Sequence, residues 1–192
     1  RDRLRSRGLG DVYKRQLHMG NQQLTLTYIN EDDRAYGLAG MAISLAALDA
    51  IDKVAAVSLD ADGPMVSFSH DFYFSGNPSI SPKTTWNTLL RNFYITSAMV
   101  VSNVMARSMV RLGEEVPEEI LSEIREEIGI EGRDSCSLED DEIEQLYRKT
   151  TTYMRRIFAN SRLRPAIGDF ARTLSRRRTL SGTEIEDELR IL

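Results

Sequence analysis

VAAVSLDADGPMVSFSHDFYF, Val54 to Phe74, is the stretch on which the fold class turns. Two runs rich in β-formers, Val54 to Leu59 and Met65 to Phe74, flank Asp60-Ala61-Asp62-Gly63-Pro64, whose residues favour a tight reversal of the chain. The pattern predicts a β-hairpin. Side chains alternate along a strand, so Val66, Phe68, His70, Phe72 and Phe74 share a face expected to meet the core. Ser67, Ser69, Asp71 and Tyr73 share the other.

Upstream, Leu24, Leu26 and Tyr28 alternate with Thr25, Thr27 and Ile29, which predicts a strand over Gln23 to Ile29. Asn30 as N-cap and Asp33 as an early acid then predict a helix from Glu31 to Ile51, unusually rich in small apolar residues. Downstream, Ser81-Pro82 is a cap followed by a proline at the first helical position. Helical period runs from there to Leu112, about 45 Å at 1.5 Å per residue, before Gly113 stops it. Trp86, Leu90, Phe93, Ser97, Val100, Val104 and Ser108 form its stripe. Pro117 to Ile128 reads as a shorter helix ended by Gly129. Ser137 with Asp140 opens another, which Pro165 breaks. Ala166 to Arg178 follows, and Thr183 with Glu186 forms a capping box for a last short helix.

Strands early and helices late predict an α+β fold. The small antiparallel sheet, made of the N-terminal strand plus the hairpin, is expected to pack on a mainly helical bundle from residue 82 onward. Residues 19–192 read as a single domain. Residues 1–18 do not: RDRLRSRGLGDVYKRQ is basic, lacks either apolar period and precedes an initiator-like Met19. Its DVYKRQ reads as the in-frame translation of a sequencing-adaptor end, so residues 1–18 are expected to be a disordered, non-native leader.

The whole chain carries 25 Lys plus Arg against 29 Asp plus Glu, and residues 19–192 carry 19 against 27. A field this acidic does not adhere to polyanions on average, so any nucleic-acid contact must be local. Residues 19–192 hold one cysteine, Cys136, and one histidine, His70, which excludes a disulfide framework or a Cys/His zinc cage within one chain. Acids flank Cys136 in RDSCSLEDD, which makes it an inert thiol and suits a reducing, cytoplasmic setting. The longest uncharged runs, Ala35 to Leu48 and Asn92 to Ala106, are too short to span a bilayer.

Chemistry-bearing motifs are few. The glycine-rich phosphate cradles are missing. Asp60-x-Asp62-Gly63 would place Ser58 and Ser69 where a calcium loop requires carboxylates. His70 is the one general-base candidate, but Asp71 beside it would point to the opposite face of a strand. No catalytic residue, metal or cofactor is assigned.

Charge is strongly segregated. Glu114 to Glu144 holds fourteen acids against Arg125 and Arg133, whereas Arg148 to Arg178 holds nine arginines and Lys149 against Asp169 alone. Arginine pairs bidentately with phosphate or carboxylate. Arg155, Arg156, Arg162, Arg164, Arg172, Arg176, Arg177 and Arg178 are therefore the candidate binding residues, with Arg176 to Arg178 as an exposed tip. Either they contact nucleic-acid phosphates or an acidic partner, or they pair with the acidic helices of the same chain or a second copy. Tyr147, Tyr153, Phe158 and Phe170 sit mostly at core spacing.

The expectation is a non-enzymatic cytoplasmic interaction or regulatory protein. Self-association is expected through Trp86, Leu90, Phe93, Val100 and Val104. The alternative is a nucleic-acid-binding protein that uses residues 148–178, and an enzyme centred on His70 ranks third.

Overall fold

The computed structural model describes residues 24–73 and 82–190. The leader expected at 1–18, the start of the predicted first strand, Phe74 and the Ser81 cap lie outside them. The fold is α+β: a three-stranded antiparallel sheet on a helical bundle.

Helix α1 (Glu31–Ala47) is the centre of the bundle. Its N-cap is the predicted one, with Asn30 Oδ1 accepting from the Asp33 amide at 2.8 Å. Residues from Ala35 to Leu45 are buried nearly all the way round, apart from half-buried Tyr36, as expected of a helix enclosed by others. The helix ends at Ala47, short of Ile51. Asp49 takes the left-handed conformation (φ 52°), the Ala50 amide returns to Leu45 O, and a 3-10 turn (Ile51–Lys53) follows.

Strands β1 (Val54–Ser58) and β2 (Val66–Phe68) form the predicted hairpin, with Val57 opposite Val66. The second strand is shorter than its alternation suggested. After Phe68 the chain coils into a four-residue helix, α2 (His70–Tyr73), which stacks Phe72 on Phe68 with ring centroids 3.9 Å apart. Phe72 and Val66 are buried, but His70 is exposed and not on the core face. The third strand is not the N-terminal segment. β3 (Thr179–Ser181) pairs with β1 instead, Leu180 opposite Val57, and both side chains are buried. Residues 24–29 join no ladder, and the Thr27 carbonyl and Ile29 amide bond side chains of the bundle.

Helix α3 (Pro82–Met105) continues as a π-helical segment, Ala106–Leu112, which Gly113 ends at φ 75°. Helix α4 (Glu118–Cys136) runs through Gly129 instead of stopping there. Gly132 explains why: a Cβ at this position would lie 3.1 Å from Phe93 Cζ and 3.3 Å from Ile143 Cγ1, so this stretch of glycines permits close helix packing and does not break the helix. Helix α5 (Asp140–Phe158) starts from a Glu139/Glu142 capping box. Helix α6 (Leu163–Arg177) accommodates Pro165 in its first turn, and α7 (Gly182–Leu189) is capped by Ser181 with Glu184, two residues before the predicted pair. α1 packs on α3 and α6, α5 packs on α3, and α5 and α6 touch each other little.

Candidate functional site

Two constellations of charge stand out, one sealed and one open. The sealed one joins α1 to the π segment. Arg107 Nε and Nη2 donate to Asp33 Oδ1 and Oδ2 at 2.9 and 2.6 Å, and both side chains are 0% exposed. Arg107 Nη2 also reaches Thr27 O at 2.8 Å. The Tyr28 ring covers the pair, 4.9 Å from the Arg107 guanidinium carbon, and its hydroxyl accepts from Asn103 Nδ2 at 2.7 Å. Arg111 bridges Asp32 and Asp33 at 2.7 and 3.4 Å. Glu31, Asp32 and Asp33 thus meet arginines brought in from Arg178, Arg111 and Arg107. The sequence held a signal for this centre, a lone arginine between Met105 and Met109 of an apolar stripe, which the periodicity argument passed over. Its two buried partners offer no access to a ligand, so its role is to hold α1 against α3.

The open constellation lies on α5 and α6. Helix geometry places Arg148, Lys149, Arg155 and Arg156 on the solvent side of α5, opposite buried Thr150, Met154 and Phe158, and all four are exposed. A four-residue turn carrying exposed Arg162 leads into α6. There Arg164, Arg172 and Arg176 are exposed, while Ile167, Phe170, Ala171 and Leu174 face the core.

The two fates expected for the arginines are divided among them. Arg172 pairs with Asp169, three residues away. Arg177 pairs with Glu184 at the start of α7. Arg178 is half-buried and left-handed (φ 68°), and it binds Asp60 in the hairpin turn and Glu31 at the head of α1. Hydrogen bonding to Asp60 and then Glu31 pushes its pKa up, and the same bond holds the Asp60 carboxyl below the usual range. Of the expected exposed tip, Arg176 and Arg177 are exposed and Arg178 is half-buried, and Arg176 alone of the three has no ion pair among the described residues. The side chains of Arg155, Arg156, Arg162, Arg164 and Arg176 make no ion pair or hydrogen bond among the described residues.

The acidic helices are not the partners of these five. Tyr147 donates to Leu121 O at 2.8 Å, Arg125 meets Glu144 at 2.6 Å and Arg133 meets Asp140 at 2.9 Å, so α4 and α5 run antiparallel. The last turns of α5, which carry Arg155 and Arg156, extend past the start of α4. Acids line α4 from Glu118 and Glu119 in its first turn to Asp134 near its end, and among the described residues none of them forms an ion pair with these five arginines.

Phe93 and Val104 of the expected oligomer stripe are 6% and 2% exposed, and they belong to the chain's own core. Leu90 and Val100 are partly buried against that core, which leaves Trp86, 41% exposed, as the one member facing solvent. Tyr147, Phe158 and Phe170 also pack in the core, and Tyr153 gives its hydroxyl to Ala47 O. Cys136 is buried at the end of α4, where burial and then Glu131 push its thiol up to about 11. Among the described residues no group of His, Cys, Asp and Glu could hold a metal, and no helix is long and apolar enough to cross a membrane. Compared with known proteins, the chain matches no family model, no curated protein and no solved structure.

Proposed function

We propose that the protein is a non-enzymatic, cytoplasmic interaction module whose arginine face on α5 and α6 docks an anionic partner. The observation that carries this is the exposure of Arg155, Arg156, Arg162, Arg164 and Arg176 without an ion pair to any acid among the described residues. Five guanidinium groups within 22 residues repel one another, and a partner that brings negative charge relieves that repulsion. Self-association through α3 has less support, because most of its stripe serves the core.

Retention on an immobilised polyanion tests this. At 50 mM salt the full chain is expected to bind heparin resin, and Arg155→Gln, Arg156→Gln, Arg162→Gln and Arg164→Gln together are expected to abolish retention. A wild-type chain that passes straight through at 50 mM salt overturns the proposal.

A further inference from the structure

The shape of the arginine face narrows the class of partner, given the docking role proposed above. The face is a track and not a pocket. Arg148 to Arg156 extends about 12 Å along α5, and Arg164 to Arg176 about 18 Å along α6, at 1.5 Å per residue. The α5–α6 turn joins the two runs, and it exposes Asn160, Ser161 and Arg162 as further donors. Solvent-exposed rows along two helices suit a long, repeating anion better than a small molecule that needs enclosure.

Three details select among long anions. Apart from Lys149, which lies over the Tyr94 ring, the cations of this face without an ion pair among the described residues are guanidinium groups, whose fork matches two phosphate oxygens at once. Asp169, the one acid on this side of α6, is already held by Arg172, so it does not repel an incoming strand. Phe158 and Phe170 lie in the core, and Tyr153 is the one exposed ring of the segment, its hydroxyl tied to Ala47 O. Single-stranded nucleic acids are held by successive bases stacking on several exposed rings, and the single tethered ring of Tyr153 makes no such series. A duplex hides its bases and presents phosphates, which is what the arginines can grip.

We infer that the α5–α6 face binds the sugar-phosphate backbone of a double-stranded nucleic acid without reading its sequence. Of the arginines without an ion pair among the described residues, the five from Arg155 to Arg176 set the scale. With about 0.9 counterion released per phosphate neutralised, affinity should fall with a log–log salt slope of about −4 to −5, or roughly five-hundredfold between 50 and 200 mM salt.

Fluorescence anisotropy of the full chain with four labelled probes decides it: a 16-base-pair DNA duplex, an RNA duplex of equal length, single-stranded dT16 and a 16-residue glutamate peptide. The expected result is binding of at least one duplex with that slope, equal affinity for a shuffled duplex sequence, and dT16 and the peptide at least tenfold weaker. Arg164→Gln with Arg176→Gln should reduce the slope by about 2, roughly one unit for each phosphate no longer neutralised, while circular dichroism stays unchanged. If dT16 or the glutamate peptide binds as tightly as the duplexes, the duplex assignment falls and the docking face survives. If no probe binds at 50 mM salt, the docking face falls as well.

Discussion

Arg107 and Asp33, 74 residues apart in the chain, form a two-point ion pair in which neither side chain touches solvent. Charges taken out of water are costly, and the cost is offset only while each has its partner. The pair therefore specifies how α3 sits on α1 more than it adds to overall stability. Arg107→Met leaves the buried Asp33 carboxylate with only Arg111 at 3.4 Å and the Ile29 amide, and is expected to cost about 3 kcal/mol, with Asp33→Asn costing a similar amount. Arg107→Met combined with Asp33→Leu should cost clearly less than the sum of the single changes. Urea denaturation of the four proteins measures this, and strict additivity would show that the two side chains do not depend on each other.

Gly40 is a point of close approach between α1 and α3. A Cβ there would press into the Ser102 carbonyl oxygen and lie 2.6 Å from Ala106 Cβ. Alanine favours a helix over glycine by about 1 kcal/mol, yet Gly40→Ala is expected to destabilise by about 1 to 3 kcal/mol net because backbone must move. Gly113→Ala meets nothing within 4 Å but sits at φ 75°, so it should cost about 1 to 2 kcal/mol by strain alone. Thermal melts of both variants separate steric from conformational cost.

Asp60 and Glu184 carry an acid-side pH dependence. Arg178 depresses Asp60, and the Ser181 amide and then its hydroxyl depress Glu184. A carboxyl whose folded-state pKa is lowered contributes its stability above the unfolded value of about 4 and loses it as pH falls further. The wild-type urea midpoint should therefore drop more between pH 6 and pH 3 than that of Asp60→Asn with Glu184→Gln. Equal drops would mean that neither carboxyl is favoured in the folded state.

Cys136 should be chemically silent in the folded protein. With its thiol pushed up to about 11 and its side chain buried, almost no thiolate is present at neutral pH. Ellman's reagent is expected to react at pH 7.5 only at the rate of unfolding, and in one fast phase in 6 M urea. Rapid labelling of the native chain would contradict the buried placement.

Features written within a few neighbouring residues were legible in the chain. The Asn30 cap, the hairpin turn at Asp60 to Pro64, the stop at Gly113 and the amphipathic run of α5 each depend on bonds spanning a turn or two. Errors arose where a local signal had two outcomes. Gly129 could end a helix or pass beneath a packed one, and the neighbouring approach of Phe93 to Gly132 chose the second. The alternation at Leu24 to Ile29 matched a strand, but β1 has one free edge beyond β2, and Leu180 occupies it.

The sequence by itself determined the α+β class, the central apolar helix and the separation of acids from arginines into two blocks. Only the tertiary structure decided which charges neutralise each other. Arg178 meets Glu31 and Asp60 across 147 and 118 residues, Arg107 meets Asp33 across 74, and Arg155, Arg156, Arg162 and Arg164 form no ion pair among the described residues. Composition counts charges and periodicity assigns faces. An ion pair forms only where packing brings two groups within about 4 Å, and that distance is set by the arrangement of whole helices.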